Sequence, residues 1–200
     1  LLVQHDERLN AVAEIRPGYT VRRPERGATL FPYRFLQIKD VSADGRISVG
    51  GVSVIELPGM SDRYLAWDGD VVLIGRGNRN HAAVYQGEFE ELVVGAQFWV
   101  IRPKRSQVLP QYLAWFINQP RTQQYFASRT HGTYIGMIQK EAVMELPVAV
   151  PPLEIQKQIV AVHALTLREQ SLMEGLKSRR AELVSELCSQ AVEQHSTGSK

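Results

Sequence analysis

Between residues 16 and 39 the chain carries Arg16, Arg22, Arg23, Arg26, Arg34 and Lys39 against a single acid, Glu25. A local surplus of guanidinium and ammonium groups is what a phosphate-contacting surface needs, because neutralised phosphates release their counterions. A solvated charged face is the alternative. Arg102, Lys104 and Arg105 form a second basic cluster, while residues 56–70 lean acidic. The formal net charge of +2 therefore conceals an uneven distribution.

Residues that would signal catalysis are scarce. The stretch "GRGN" (75–78) lacks the lysine-serine ending of a phosphate-binding loop, and no GxGxxG stands at a strand–helix junction. The "VPPLE" stretch has neither an Asn or Asp before the prolines nor an aromatic after them, so it does not match the adenine methyltransferase motif. His5, His81, His131, His163 and His195 stand far apart, without metal-ligand spacing. Asp68 and Asp70 flank a glycine and read as a β-turn before a strand rather than as a catalytic pair. The one cysteine, Cys188, excludes an internal disulfide and reads as helix surface or seam. Neither a membrane-length apolar run nor an apolar leader is present, so a cytoplasmic protein is expected.

The elements that must position these groups follow from periodicity. Asp6 is expected to cap a short amphipathic helix with Leu9, Val12, Ala13 and Ile15 on its apolar stripe, ended by "RPG" at 16–18. From residue 19 to about 104 the pattern is β, with runs at 33–38, 47–57, 71–75, 81–86 and 93–101 rich in Val, Ile and aromatics. Short strands at close spacing favour a curved or barrel-like sheet over βαβ units. Pro110 sits at the first turn of a helix over 109–118, Pro120 breaks it, and a second helix starts in "RTQQYFASR". "KEAVMEL" gives two helical turns and "PVAV" a last strand.

At Pro151–Pro152 the period changes for good. Leu165, Leu172, Leu176, Leu183 and Leu187 fall at spacings of seven, four, seven and four, on a helix of about 40 residues, roughly 60 Å long. Nothing else in the chain is long enough to cover that stripe, so its partner is expected to be another chain. The expected fold class is α+β. A domain over 1–150, with a curved, mainly antiparallel sheet and small helices, precedes one long helix over 151–195 and a flexible tail at 196–200.

Eight short patterns occur in order. They are Gly18-Tyr19-Thr20; Ile38-Lys39-Asp40; "LAWDGDVVL" (65–73); Arg76-Gly77-Asn78; "GAQFWVIRP" (95–103); "LPQYLAWFIN" (109–118); "GTYIGMI" (132–138); and "LPVAVPPLEIQKQI" (146–159). In this order, and over nearly the whole chain, they resemble one half of the DNA specificity subunit of type I restriction–modification systems. The resemblance implies a non-catalytic subunit whose globular target recognition domain reads half of a split site in double-stranded DNA. It implies a long helix that separates two such domains and docks the adenine methyltransferase subunit and, through it, the restriction subunit. S-adenosylmethionine is then expected only on the methyltransferase, with no cofactor on this chain, in a bacterial or archaeal cytoplasm. Full-length members carry two domains and two helices, so this chain looks like a half-subunit that forms a homodimer through Leu165, Leu172, Leu176, Leu183 and Leu187.

Given that resemblance, DNA contacts are expected from three places. In "GRGNRN", Arg76, Asn78, Arg79 and Asn80 supply donors on a glycine-bearing loop, with a plain polar hairpin as the alternative. In "THGTYIG", His131, Thr133 and Tyr134 are candidates, with Tyr134 equally a core residue. In the basic stretch they are Tyr19, Arg22, Arg23, Arg34 and Lys39, where Arg22 and Arg23 suit phosphates better than bases. The rival reading is a non-catalytic interaction or decoy module that oligomerises through the same helix.

Overall fold

The computed structural model describes residues 6–42, 44–77, 80–129 and 136–197. The chain opens with β1 (Asp6–Arg8), the single helical turn α1 (Leu9–Val12) and β2 (Ala13–Pro17). Next come β3 (Leu30–Leu36), β4 (Ser53–Pro58), β5 (Leu65–Ala66), β6 (Val71–Ile74), β7 (Ala82–Val84), β8 (Leu92–Val94) and β9 (Phe98–Pro103). Then follow α2 (Pro110–Ile117), α3 (Pro120–Arg129), α4 (Lys140–Met144), β10 (Pro147–Ala149) and α5 (Leu153–Thr197). The architecture is α+β, with mainly antiparallel sheets, short helices and one long C-terminal helix, as the sequence led us to expect.

Two differences from the sequence reading concern strands. The expected opening helix is one turn only, and Asp6 is not its cap, because Asp6 pairs with Ala149 in a two-stranded sheet of β1 and β10. From Ala13 onward β2 lies antiparallel to β9, so Ile15 faces Ile101 and tertiary pairing overrides the local helical pattern. The run 93–101 is not one strand. It is β8 and β9, which belong to different sheets and are joined by a turn in which Phe98 N donates to Gly95 O at 3.1 Å. Gly95 N donates to Leu36 O at 3.1 Å, and a Cβ on Gly95 would lie 3.0 Å from that oxygen. Glycine is what lets the chain change sheets so close to β3.

One sheet has the order β2-β9-β6-β7, all antiparallel; the other has β4-β3-β8-β5, with β3 and β8 parallel. Strand periodicity distributes the core. In β6, Val71 and Leu73 pack with Tyr112, Leu113 and Ile117 of α2 and Phe126 of α3. Val72 and Ile74 face the other way, into a core shared with Leu36, Leu92 and Val94 of the second sheet. The strand is buried on both faces, which is why its sequence is a continuous apolar run without alternation.

The turn before β6 does more than reverse the chain. Asp70 N closes it on Trp67 O at 2.9 Å, with Gly69 at φ +83°, as the Asp-Gly-Asp pattern suggested. The Asp70 side chain is only 1% exposed, and Arg102 of β9 grips it with Nε and Nη2, both at 2.8 Å. Arg16 of β2 lies 3.5 Å from the same carboxylate and donates to Leu65 O, in the second sheet, at 2.6 Å. The Arg102 pKa rises above its usual value through the hydrogen bonds to Asp70; that of Arg16 falls because burial strips its solvation. Arg16 therefore belongs to the interior and not to the basic surface that composition proposed.

The joint to α5 is similarly built. Ile155 N and Gln156 N both donate to Pro152 O, at 2.9 and 3.1 Å, so the second proline carbonyl starts the helix. The Gln156 side chain is fully buried: its Oε1 accepts from Leu109 N, just before α2, and its Nε2 donates to Gln107 O and Pro151 O, all at 2.8 Å. Tyr112 adds a hydroxyl donation to Ala149 O at 2.7 Å, and burial pushes its pKa up to about 12. The chain divides into compact units Leu1–Val160 and Ala161–Lys200, so the first two turns of α5 belong to the first. The helix includes Ser196 and Thr197, where a tail was expected; neither breaks a helix as Gly or Pro does.

Asp70→Ala leaves the mostly buried Arg16 and the partly exposed Arg102 without their anion and should cost about 3 kcal/mol in urea unfolding, the low end for a broken buried pair because solvent screens Arg102. The half-exposed pair of Asp68 with Arg105 is the control, and Asp68→Ala should cost no more than about 1 kcal/mol. Gln156→Ala strands one N–H and two carbonyls and should lower the thermal midpoint, each stranded group costing about 1–3 kcal/mol. The isosteric Gln156→Glu sets a carboxylate against the Gln107 and Pro151 carbonyls. It should be at least as damaging at neutral pH and should recover as acid protonates it.

Candidate nucleic-acid interface

The turn Gly95–Gln97 gathers segments that are remote in sequence. Gly18 N donates to Phe98 O at 2.9 Å and Tyr19 N to Val94 O at 2.7 Å, with a parallel bridge between Tyr19 and Gly95. Any side chain on Gly18 would collide with the Gly95 carbonyl, so the close approach of the two backbones requires glycine there. On the other side of the turn, Gly75 N donates to Gln97 O at 2.8 Å. Gly75 O in turn accepts from Ile138 N at 2.7 Å, and Arg76 bridges Met137 in antiparallel sense. The buried indole of Trp99 fixes the same strip by donating to Ile138 O at 3.0 Å. Gly75 is forced by this packing as well: a Cβ would lie 2.8 Å from Trp99 Cδ1.

The two loops singled out from sequence thus meet at their described ends. Arg76 is exposed beside Met137, which follows the "THGTYI" stretch. Asn78, Arg79, His131, Thr133 and Tyr134 lie outside the described residues. Tyr19 is half-buried at the turn, and Arg22 and Arg23 are exposed on the irregular segment that leaves it. Lys39 is exposed on the 3₁₀ turn just after β3 and donates to Ser53 Oγ at 3.3 Å. That turn is anchored by the neighbouring Asp40, 2% exposed, which accepts from Gln37 N at 2.9 Å. The Asp of the Ile-Lys-Asp pattern is thus a structural residue.

Two candidates are engaged elsewhere. Asn80 is only 8% exposed, and its side-chain amide donates to Ile74 O at 3.0 Å, closing the base of the 75–80 loop. Its carbonyl accepts from Gln123 Nε2 at 2.9 Å. Arg34 sits mid-strand with its guanidinium 4.9 Å from the centroid of the Phe89 ring and donating to Val52 O at 3.3 Å. It shares a shallow depression with Glu88, Glu90 and Glu91, a poor setting for a phosphate. Sequence reading passed over Arg63 and Tyr64, because they lie in the acidic-leaning stretch. The Arg63 guanidinium stands 4.7 Å from the Tyr64 ring centroid, and Tyr64 meets Tyr19 edge-on with centroids 5.1 Å apart.

In the second unit the leucine stripe is open. Leu165, Leu172, Leu176, Leu183 and Leu187 are 67, 60, 69, 56 and 56% exposed. Residues 165, 176 and 187 are eleven apart, as are 172 and 183. Eleven residues over three turns is about 3.67 per turn, close to the α-helix's own period, so the leucines keep to one face of the helix.

Comparison with known proteins fits this architecture. The family model of the type I restriction modification DNA specificity domain matches residues 34–175. The chain therefore belongs to that family, whose members are non-catalytic DNA-recognition components. A type I restriction enzyme MjaX specificity subunit of Methanocaldococcus jannaschii is 26% identical over 156 residues, covering 74% of this chain and 35% of its own length. The crystal structure of the HsdS subunit of Thermoanaerobacter tengcongensis superposes with a TM-score of 0.58 at 23% identity, over 84% of this chain and 43% of that one. A chain from work on complex assembly and conformational transition of the type I R-M system gives 0.58 at 21% identity, over 90% and 41%. This chain thus spans well under half the length of these relatives. Among the described residues, no helix is long and apolar enough to cross a membrane, and no group of three or more His, Cys, Asp or Glu is placed to hold a metal ion.

Proposed function

We propose that residues 1–150 read one half of a split target in duplex DNA, and that α5 sets the position of a second reading relative to the first. The observation that carries this is the convergence on the Gly95–Gln97 turn. Gly18 and Tyr19 donate to Phe98 O and Val94 O on either side of that turn, and Gly75 donates to Gln97 O within it. Through Gly75, whose carbonyl accepts from Ile138 N, the exposed Arg76 and the described end of the second loop are brought alongside. The segments that run on from there hold Arg22, Arg23 and Lys39, which suit phosphates, while Arg76, Asn78 and Arg79 suit base edges. The chain itself performs no chemistry in this reading; its surface selects the sequence on which an adenine methyltransferase subunit acts, S-adenosylmethionine being bound there.

The open leucine stripe supports pairing with the helix of a second copy, which gives two half-site readers at a fixed separation and hence a two-fold symmetric site. It is also the surface offered to the methyltransferase subunit and, through that subunit, to the restriction subunit. The second reading, an interaction or decoy module, rests on the same stripe and needs no DNA. Pull-down of the methyltransferase with and without target duplex separates the two.

Binding to a selected duplex should weaken steeply with salt and exceed binding to random duplex by roughly 10³ or more. Equal affinity for any duplex would overturn the half-site reading. In sedimentation, the double change Leu172→Lys with Leu176→Lys should convert dimer to monomer while the unfolding midpoint of the first unit stays put. A dimer that survives it would remove the helix from the assembly.

A further inference from the structure

We propose that Arg63 reads a guanine edge, with Tyr64 as the residue that positions it; this rests on the DNA-reading function proposed above. Arg63 and Tyr64 belong to the 3₁₀ turn Asp62–Tyr64, closed by Tyr64 N donating to Ser61 O at 2.8 Å. The turn runs directly into β5, whose Leu65 pairs with Val93 of β8. The Tyr64 ring meets that of Tyr19, which is bridged to Gly95, so Tyr64 and its neighbour Arg63 stand beside the start of the Gly95–Gln97 turn. Arg63 and Arg76 thus come to the same turn from different sheets.

Arg63 is exposed but held by its neighbour in the chain. Its guanidinium lies 4.7 Å from the Tyr64 ring centroid while Nη2 donates to the Tyr64 hydroxyl at 2.9 Å. That ring is itself wedged edge-on against Tyr19, at an interplanar angle of 72°. Among the described residues the Tyr64 bond is the only hydrogen bond Arg63 makes, so most of its five donors face solvent. A phosphate contact asks only for a mobile positive charge. Reading guanine asks for a planar fork fixed in orientation, so that two N–H groups meet O6 and N7 together, and the ring contact and hydrogen bond to Tyr64 restrain it before binding. Lysine keeps the charge but has neither the plane nor the fork.

The test is selection of bound duplexes from a randomised pool with the full chain, comparing wild type with Arg63→Lys and Tyr64→Phe. Arg63→Lys should relax preference for guanine at one position of the selected half-site by about 10- to 100-fold. The dependence of affinity on salt should stay that of wild type. Tyr64→Phe keeps the ring and loses the acceptor, so it should relax the same position by a smaller factor; unfolding midpoints report whether either variant folds. Uniform weakening at every position, with no loss confined to one, would make Arg63 a general contact rather than a base reader and overturn the assignment. A wild-type selectivity pattern retained by both variants would overturn it too, leaving the half-site function standing. A wild type that enriches no sequence would remove both.

Discussion

The buried carboxylate of Asp70 is the point on which the two sheets depend. Arg102 comes to it from β9 and Arg16 from β2, and Arg16 reaches past it to the Leu65 carbonyl in the other sheet. Two guanidiniums around one anion is an excess of positive charge in a poorly solvated place, and Arg16 Nη1 has no hydrogen-bond partner there among the described residues. Such a cluster is weak as a source of stability but strict about geometry, because any shift exposes an unpaired charge to low dielectric. It fixes β5 against β2 and β9, and so fixes the frame in which the Gly95–Gln97 turn crosses between sheets.

Much of the fold was legible because local and tertiary preferences agree. Pro110 marks the start of α2, Pro120 that of α3, and the double proline the last bend before α5; in each case a missing N–H coincides with a first turn that has no use for it. The apolar run of β6 could only be interior. Where the preferences conflict, sequence misleads. Residues 13–15 carry a helical stripe yet pair with β9, and 93–101 carries one uninterrupted strand pattern yet turns at Gly95. A glycine in a strand pattern signals such a turn, but not that the two halves join different sheets.

The site was half legible for a related reason. Composition counts arginines without saying which way they face. Arg16 points inward to Asp70; Arg34 is exposed but engaged by Phe89 and the Val52 carbonyl, whereas Arg22, Arg23 and Arg76 lie exposed on irregular segments. Arg63 was hidden by its acidic neighbours in sequence, which say nothing of the Tyr64 ring beside which it stands. Asn80 and Gln156 show the limit from the other side. Both are polar, both would be placed on a surface by type, and both have side chains buried on main-chain partners that no local pattern reveals.

The segments around the Gly95–Gln97 turn are tied down almost wholly by backbone atoms: Tyr19 N to Val94 O, Gly75 N to Gln97 O, Ile138 N to Gly75 O. Any amino acid other than proline can make those bonds. The exposed side chains of Arg22, Arg23 and Arg76 carry none of that anchoring, which rests on the backbone, on the glycines that permit the approach and on a few packed side chains such as the Trp99 indole. A surface mounted this way can be rewritten residue by residue at little risk to the scaffold beneath, and one frame can carry many vocabularies.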